Sequence, residues 1–230
     1  MNFFQKMFIA TTISLFTSSA FSTSLDFRHE YKVGSKQHAS RVKMSHSFEN
    51  NLSVGLETKF KGAEGKFMSE MQTNGTEIGI NYKQKINNEW TLALGMPIEF
   101  GLSGDTYKPQ IRLTYAPKYI DSLSISGRYR MDIKPGEDES RLRHRYTVNL
   151  GYKIDNWRFG YEGNYYYADS PSRNLYNGRT NYEHNVTIQY RIEAWTPWVE
   201  IGNSSASASS LDQEEDGREL RIRFGLRYSF

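Results

Sequence analysis

The sequence contains no cysteine, no strong net charge and no membrane-spanning helical segment. Without cysteine, neither a disulfide framework nor a thiolate metal site is available. Charged residues interrupt every apolar stretch after the first 22 residues, so no segment there is apolar enough to cross a bilayer as a helix. A net charge of +3 over 230 residues is too balanced to indicate nucleic-acid binding. The five histidines show no metal-ligand spacing, and we expect no cofactor.

The first 22 residues resemble a secretory signal peptide. Lys6 precedes the apolar run Met7–Phe16, and small residues follow at Ala20 and Ser22. Because this run is too short to span a bilayer, we predict that residues 1–22 are removed near Ser22 or Thr23. The alternative is a buried N-terminal helix. Residues 23–230 are then long enough for one large domain.

The last eleven residues alternate between apolar and polar side chains. Leu220, Phe224 and Phe230 share one parity, and Arg221 and Arg223 share the other. In a strand this period of two sends the two sets to opposite faces of a sheet. A soluble sheet would bury the apolar face, whereas a membrane barrel would turn it to lipid and the arginines to a wet lumen.

The same alternation recurs in eleven earlier segments, most of them about ten residues long, the length a tilted strand needs to cross a bilayer. Short links such as 49–51 and 155–156 take turns with longer polar links such as 33–39, 62–75, 101–106 and 203–217. This rhythm and the even strand count favour an all-β fold, a transmembrane 12-stranded antiparallel β-barrel of the outer membrane of a Gram-negative bacterium. Both termini are then expected on the periplasmic side.

The face assigned to the lumen is rich in arginine and also carries carboxylates. Because the guanidinium group stays charged and pairs with carboxylates through two parallel hydrogen bonds, such a lining favours anions. Asp132 is the nearest local acid to four crowded arginines, which suggests that a ligand supplies further anions. The candidate pore-lining and substrate-binding residues are Arg28, Arg112, Arg128, Arg130, Arg143, Arg145, Arg158, Arg191, Arg221, Arg223 and Arg227. The alternative is a self-neutralised plug in which ion pairs brace the wall.

Other motifs are weaker. Tyr166 and Trp198 lie on the lumen parity and could stack on sugar faces or simply fill space. Pro97 and Pro109 lie inside strand patterns, where the missing N–H donor indicates a bulge or a strand end. The acidic loop 211–216 could hold a divalent cation, but it lacks the spacing of an EF-hand loop. No convincing Ser–His catalytic pair can be assembled, so we expect no enzymatic activity.

Short motifs along the whole mature chain resemble one known family, the oligogalacturonate-specific monomeric porins. They are Leu-Asp-Phe-Arg-His-Glu-Tyr-Lys (25–32), Ser-His-Ser-Phe-Glu-Asn (45–50), Asn-Gly-Thr-Glu (74–77), Tyr-Lys-Pro (107–109), Gly-Tyr-Glu (160–162), Trp-Thr-Pro-Trp-Val (195–199), Gly-Asn (202–203) and Arg-Tyr-Ser-Phe (227–230). The resemblance implies a twelve-stranded monomeric barrel with arginine tracks in the lumen. The positions that match are Arg28, Arg112, Arg128, Arg130, Arg221 and Arg223, whereas Arg143 and Arg145 fall where the family pattern varies.

The predicted function is therefore a passive outer-membrane channel that carries acidic oligosaccharides, oligogalacturonate or related uronates, into the periplasm. Members of the family also serve sialic acid, so the resemblance does not fix the substrate. The surrounding partners are outer-membrane lipid and lipopolysaccharide, and Phe230 resembles the terminal signal read by the barrel-assembly machinery. The competing hypothesis is a structural or adhesive outer-membrane barrel with a salt-bridged, closed lumen that binds through its loops.

Overall fold

The computed structural model describes residues 22–62, 65–102, 104–136, 141–169, 179–205 and 217–230. These residues form fourteen strand segments in one antiparallel sheet. Their bounds are β1 Thr23–Lys32, β2 Gln37–Ser47, β3 Leu52–Lys61, β4 Gln72–Lys85, β5 Trp90–Gly95, β6 Ile98–Gly101, β7 Gly104–Tyr107, β8 Gln110–Tyr115, β9 Leu123–Lys134, β10 Arg141–Ile154, β11 Trp157–Ala168, β12 Thr180–Tyr190, β13 Trp195–Ser205 and β14 Arg218–Ser229. The predicted leader, apart from Ser22, lies outside the described residues.

The sheet closes on itself as a barrel of twelve strands, which confirms the predicted fold class. The first and last strands pair along their length, from Ser24 with Ser229 to Lys32 with Arg221. Both β5 and β6 pair with β4, so they are two halves of one barrel strand. In the same way β7 and β8 both pair with β9 and form the next barrel strand.

The two interrupted strands break at the prolines that the sequence singled out. Pro97 separates β5 from β6, and Pro109 separates β7 from β8, because a proline has no N–H to donate to the ladder. The neighbouring backbone compensates in part. The Lys108 N–H donates to the Pro97 carbonyl over 2.8 Å, and the Met131 N–H donates to the Pro109 carbonyl over 3.0 Å.

Burial is inverted relative to a soluble protein. Among the described residues, the buried apolar side chains are Tyr166, Ala168 and Trp198, whereas many charged and amide side chains are buried inside the barrel. The exposed large side chains include Leu25, Phe27, Val42, Ile78, Ile80, Leu94, Ile111, Ile125, Val148, Leu150, Phe159, Val186, Ile188, Val199, Ile201, Phe224 and Leu226. This outward apolar face is the one that the alternation assigned to lipid.

Aromatic pairs mark one end of this outward face. Trp90 and Tyr115 lie directly opposite each other on neighbouring strands, with ring centroids 4.7 Å apart. Trp195 and Tyr228 form a second cross-strand pair at 4.6 Å. Both pairs lie beside short turns, so they form part of an aromatic girdle at that end of the barrel. No helix in the described ranges is long and apolar enough to cross a membrane.

Two of the connections differ from the expected rhythm of short and long links. The segment 101–106 was expected to be a polar loop, but β6 and β7 remain paired up to Gly101 with Gly104. The link after β1 is also tight, since β2 begins at Gln37. Gly104 has a φ of 105°, a backbone conformation that glycine adopts without strain. Tight turns are therefore present at both ends of the barrel.

Candidate functional site

The interior of the barrel contains a polar cavity of about 540 Å³. Eleven of its lining side chains are basic and six are acidic, so the lining carries an excess of five positive charges. The basic residues are Arg28, Arg41, Lys59, Lys108, Arg128, Arg130, Arg143, Arg145, Arg221, Arg223 and Arg227, and the acidic residues are Glu57, Glu77, Glu99, Glu162, Glu183 and Glu200. Such an excess inside a low-dielectric wall concentrates anions.

Five of these arginines lie where the barrel closes, on β14, β1 and β2. We call this set the seam wall: Arg28, Arg41, Arg221, Arg223 and Arg227. The alternating strand period places all five side chains on the inner face. Because β1 and β9 are six places apart in a ring of twelve strands, the opposite side of the lumen is formed by β8, β9 and β10. That side holds the far wall: Arg112, Arg128, Arg130, Arg143 and Arg145.

Most seam-wall arginines are held by carboxylates. Arg223 donates to Glu30 over 2.5 Å and to Glu200 over 2.7 Å. Asp26 receives Arg41 over 2.8 Å on one oxygen and Arg227 over 3.2 Å on the other. Such bonds fix each guanidinium in one orientation, so these side chains are pre-organised in the wall.

The far wall has a similar brace. The buried Asp132 carboxylate pairs with Arg130 over 2.7 Å and with Arg143 over 2.6 Å. Arg145 lies opposite Arg130 in register and instead donates to Asn164 over 2.9 Å, with Glu162 at 3.4 Å. These bonds separate like charges that would otherwise repel each other across the strand pair.

An aromatic side chain also supports the far wall. The guanidinium carbons of Arg143 and Arg145 lie 5.5 and 5.1 Å from the centre of the Tyr166 ring. The ring is buried, and its hydroxyl donates to Glu183 over 3.2 Å. Tyr166 thus makes cation–π contacts with both guanidinium groups and stabilises them.

Acidic sectors separate the two walls. One sector contains Glu77 on β4 and Glu99 on β6. Lys59 on β3 donates to Glu99 over 2.5 Å, and Lys108 bonds both glutamates. On the other side of the lumen, Glu162, Glu183 and Glu200 project from β11, β12 and β13. Viewed along the barrel, arginine-rich and carboxylate-rich sectors therefore alternate.

Three lumen arginines lack a carboxylate partner among the described residues: Arg28, Arg112 and Arg128. Arg128 donates to the Thr147 hydroxyl over 3.1 Å, and its register neighbour on β8 is Arg112. Within the described ranges, the Nε atoms of Arg28 and Arg128 are buried and have no hydrogen-bond acceptor, and the same holds for the carboxylate-paired Arg41, Arg130 and Arg221. A buried donor without an acceptor is costly, so these positions favour a bound anion or water.

The predicted site residues fall into three groups. Eight of them line the cavity, and Arg112 faces the lumen beside Arg128. Arg158 and Arg191 instead line a separate depression of about 570 Å³ among the short turns, where Arg191 donates to the Glu193 carbonyl over 3.1 Å. The structure therefore brings most of the predicted arginines together and places these two at the short-turn mouth.

Lys108 is a lumen residue that the sequence reasoning did not select. It lies at the proline break, is nearly fully buried, and bonds two glutamates. The available signal was its parity, which it shares with Gln110 and Arg112 across the break.

Trp198 also lines the cavity, and its indole lies across Gly225. A Cβ at Gly225 would come within 2.4 Å of the indole ring, so this position requires glycine. The sequence put Trp198 on the correct face, but it gave no sign of the contact with Gly225.

The described histidines form no metal site. In the described residues, no group of three potential ligands is placed to hold a metal ion. His144 and His184 instead accept or donate bonds with the Tyr129 and Tyr161 hydroxyls over 2.8 and 2.7 Å. The segment 211–216 lies outside the described residues, so its cation binding stays a prediction.

The arginine-lined twelve-stranded barrel matches one family of proteins. The family model "Oligogalacturonate-specific porin protein (KdgM)" matches residues 16–230. The chain belongs to this family. The oligogalacturonate-specific porin KdgM of Dickeya dadantii is 30% identical over 241 residues, covering 98% of this chain and 99% of the relative.

Two further comparisons agree with this assignment. The N-acetylneuraminic acid outer membrane channel protein NanC of Escherichia coli strain K12 is 25% identical, covering 78% of this chain and 79% of the relative. A solved structure of the KdgM porin in complex with disordered oligogalacturonate is 28% identical, with a TM-score of 0.67, covering 90% of this chain and 99% of that one. The protein is an outer-membrane porin of the KdgM type.

Proposed function

We propose that this porin is a passive, anion-selective channel for acidic oligosaccharides, with uronate oligomers such as oligogalacturonate as its substrates. The observation that carries the proposal is that three lumen arginines have no carboxylate partner in the described part of the chain; we call them the unpartnered arginines. Arg28 on the seam wall faces Arg112 and Arg128 on the far wall. Each guanidinium group can bind a substrate carboxylate without first breaking an ion pair with a carboxylate of the barrel wall.

The charge balance of the lumen supports the same conclusion. Asp26, Glu30 and Asp132 bond the lining arginines from within the wall. With these three acids and Arg112 included, twelve basic side chains face nine acidic ones, an excess of three. Lys43 also faces the lumen, in contact with Glu57, and adds one more positive charge. The lumen therefore stays positive after the acids of its wall are counted.

Transport then needs no covalent chemistry. A carboxylate enters the positive potential of the lumen, pairs with one exposed guanidinium edge and moves to the next. Arg41, Arg223 and Arg143 contribute field rather than tight contacts, because their donors already bond Asp26, Glu30 or Asp132. Weak and repeated contacts allow release, which a conducting pore requires.

A closed, salt-bridged barrel is the competing function. The many internal ion pairs are the observation in its favour. An open cavity of about 540 Å³ and an excess of positive charge argue against a filled interior. The relatives named KdgM and NanC are a porin and a channel, which also favours conduction over adhesion.

The names of the relatives indicate the class of substrate. One is specific for oligogalacturonate and the other is a channel for N-acetylneuraminic acid. Both compounds are sugars that carry a carboxylate. We assign the carboxylate and the sugar hydroxyls as the features that the channel recognises. We select uronate oligomers because the family model and the more similar of these two relatives are named for oligogalacturonate.

The proposal includes the orientation and processing of the chain. Residues 1–22 are removed on export, and residues 23–230 form the barrel as a monomer. One chain supplies the whole lumen, so no second copy is needed to complete it. Both termini and the aromatic girdle at Trp90 and Trp195 face the periplasm, and Phe230 is the signal for the assembly machinery.

Single-channel recording in a planar bilayer tests this function. We expect a reversal potential that shows preference for chloride over potassium in a salt gradient, and interruption of the current by trigalacturonate. Maltotriose, a neutral trisaccharide, is the control and should interrupt the current far less. A closed barrel, a cation preference, or equal block by both sugars would overturn the proposal.

A further inference from the structure

A second polar pocket lies at the short-turn end of the seam wall, next to the central cavity. It has a volume of about 380 Å³. Its lining consists of Ser22, Ser24, Asp26, Arg41, Lys43, Ser45, Arg227 and Ser229. Arg41 and Arg227 line both spaces, so a ligand that leaves the central cavity along this wall enters the pocket directly.

The pocket is built from two adjacent rows of the sheet. Ser24 lies opposite Ser229 on one side and opposite Ser45 on the other, which places three hydroxyls side by side. In the next row Asp26 lies opposite Arg227 and Lys43 in the same way. Every second residue of a strand points to the same face, so both rows face the lumen.

The two cations in the second row have their charged groups available to a ligand. The Lys43 and Arg227 side chains are 40% and 41% exposed, whereas their carboxylate partners Glu57 and Asp26 are 9% and 5% exposed. Arg41 also bonds both of these carboxylates, at 3.4 and 2.8 Å. The acids are therefore neutralised inside the wall, and the pocket presents positive charge to the lumen.

At the same end of the barrel, the far wall lacks the positive charges that line the seam wall. Between Arg128 and the turn before β9, the inward positions are Ser126 and Ser124, and Thr114 lies beside them on β8. These side chains are neutral. On β8 and β9 the cations therefore stop at the middle of the barrel, whereas the seam wall carries them almost to the short turns.

We propose that this pocket is the exit subsite of the channel, where one sugar ring of an acidic oligosaccharide binds before release. Its carboxylate pairs with Lys43 and Arg227, and its ring hydroxyls bond Ser24, Ser45 and Ser229. The inference rests on the proposed function, since the ligand is the same uronate oligomer. The serine row selects a sugar acid over a simple inorganic anion because hydroxyls both donate and accept hydrogen bonds.

Oriented single-channel recording with trigalacturonate tests the subsite. Because the sequence has no cysteine, N88C in the turn between β4 and β5 can be biotinylated, and streptavidin then shows which chamber the short turns face. In this background K43Q/R227Q should lower the association rate of block from the short-turn side by about tenfold, since the charges that line a subsite steer the ligand into that subsite. Block from the loop side should change less than twofold.

The matched control is K83Q/K85Q. It also removes two positive charges from inward positions near the short turns, but on β4 and outside the pocket. It should leave both association rates within twofold of the parent. K43R/R227K keeps the charges and should retain fast block, and it shows that any loss reflects charge rather than folding. S24A/S45A/S229A should shorten each block without slowing association, because only hydroxyl bonds are lost.

The outcomes separate the subsite from the function as a whole. If the parent channel is neither anion-selective nor blocked by trigalacturonate, the proposed function and the subsite both fail. If the parent is blocked but K43Q/R227Q behaves like K83Q/K85Q, the subsite alone is wrong. If S24A/S45A/S229A leaves the duration of block unchanged, or inorganic phosphate blocks as well as trigalacturonate, the pocket is an anion site without sugar recognition and the inference is overturned.

Discussion

The clearest test of the unpartnered arginines compares two neighbours on one strand. Arg128 and Arg130 lie two residues apart on β9 and share the inward face. Both line the same cavity, and replacing either with glutamine removes one positive charge. They differ in their partners, because Arg130 pairs with Asp132 over 2.7 Å whereas Arg128 donates to the neutral Thr147 hydroxyl.

The expected magnitudes follow from this difference. A hydrogen bond between a guanidinium and a carboxylate stabilises a complex by about 2 kcal/mol, so R128Q should raise the dissociation constant of trigalacturonate about 30-fold. Arg130 contributes mainly a field, because two of its nitrogens already contact Asp132. R130Q should therefore cost about 1 kcal/mol or less, at most about fivefold in the dissociation constant.

Concentration-dependent block of single channels gives both dissociation constants. Glutamine at position 128 can still donate to Thr147, and Asp132 keeps Arg143 at 2.6 Å when Arg130 is replaced. Both variants should therefore fold, which the heat-dependent gel mobility typical of outer-membrane barrels verifies. An equal effect of the two substitutions, or a larger effect of R130Q, would show that pairing within the wall does not decide which arginines bind substrate.

Two further predictions concern the fold. G225A should lower stability by about 1–3 kcal/mol, seen as a lower denaturant midpoint, because the new Cβ would meet the Trp198 ring at 2.4 Å; the control G127A adds a Cβ with nothing within 4 Å and should be neutral. V186R should cost about 2–4 kcal/mol in a refolding titration into lipid vesicles because Val186 is on the outward face, whereas T187R points into the lumen and should be tolerated. Equal stability of V186R and T187R would contradict the assignment of faces.

The alternation of side chains was sufficient to predict the barrel and its two faces. Period two is a local property, so it assigns Val186 and Arg223 to opposite faces without knowledge of their neighbours. The strand interruptions at Pro97 and Pro109 were also predictable, since the missing N–H donor is a property of proline itself. The tight links after β1 and β6 were not predicted, because a run of polar residues can form a turn as readily as a loop.

The pairing of charges could not be predicted in the same way. Asp132 was expected to be the local acid for four crowded arginines, and the structure shows that it bonds Arg130 and Arg143. Arg145 is instead held by Asn164 and Glu162 from the following strand. Which guanidinium remains unpartnered depends on side-chain reach between strands whose register the sequence does not state.

The break at Pro97 and Pro109 makes one part of the barrel wall mechanically different from the rest. Here two neighbouring strands are each interrupted at a residue that lacks an N–H donor. Lys108 lies in the gap and bonds Glu77 and Glu99 on β4 and β6. Electrostatic bonds from inside the lumen thus replace part of the backbone ladder, so we expect this panel of the wall to deform more easily than a fully paired stretch.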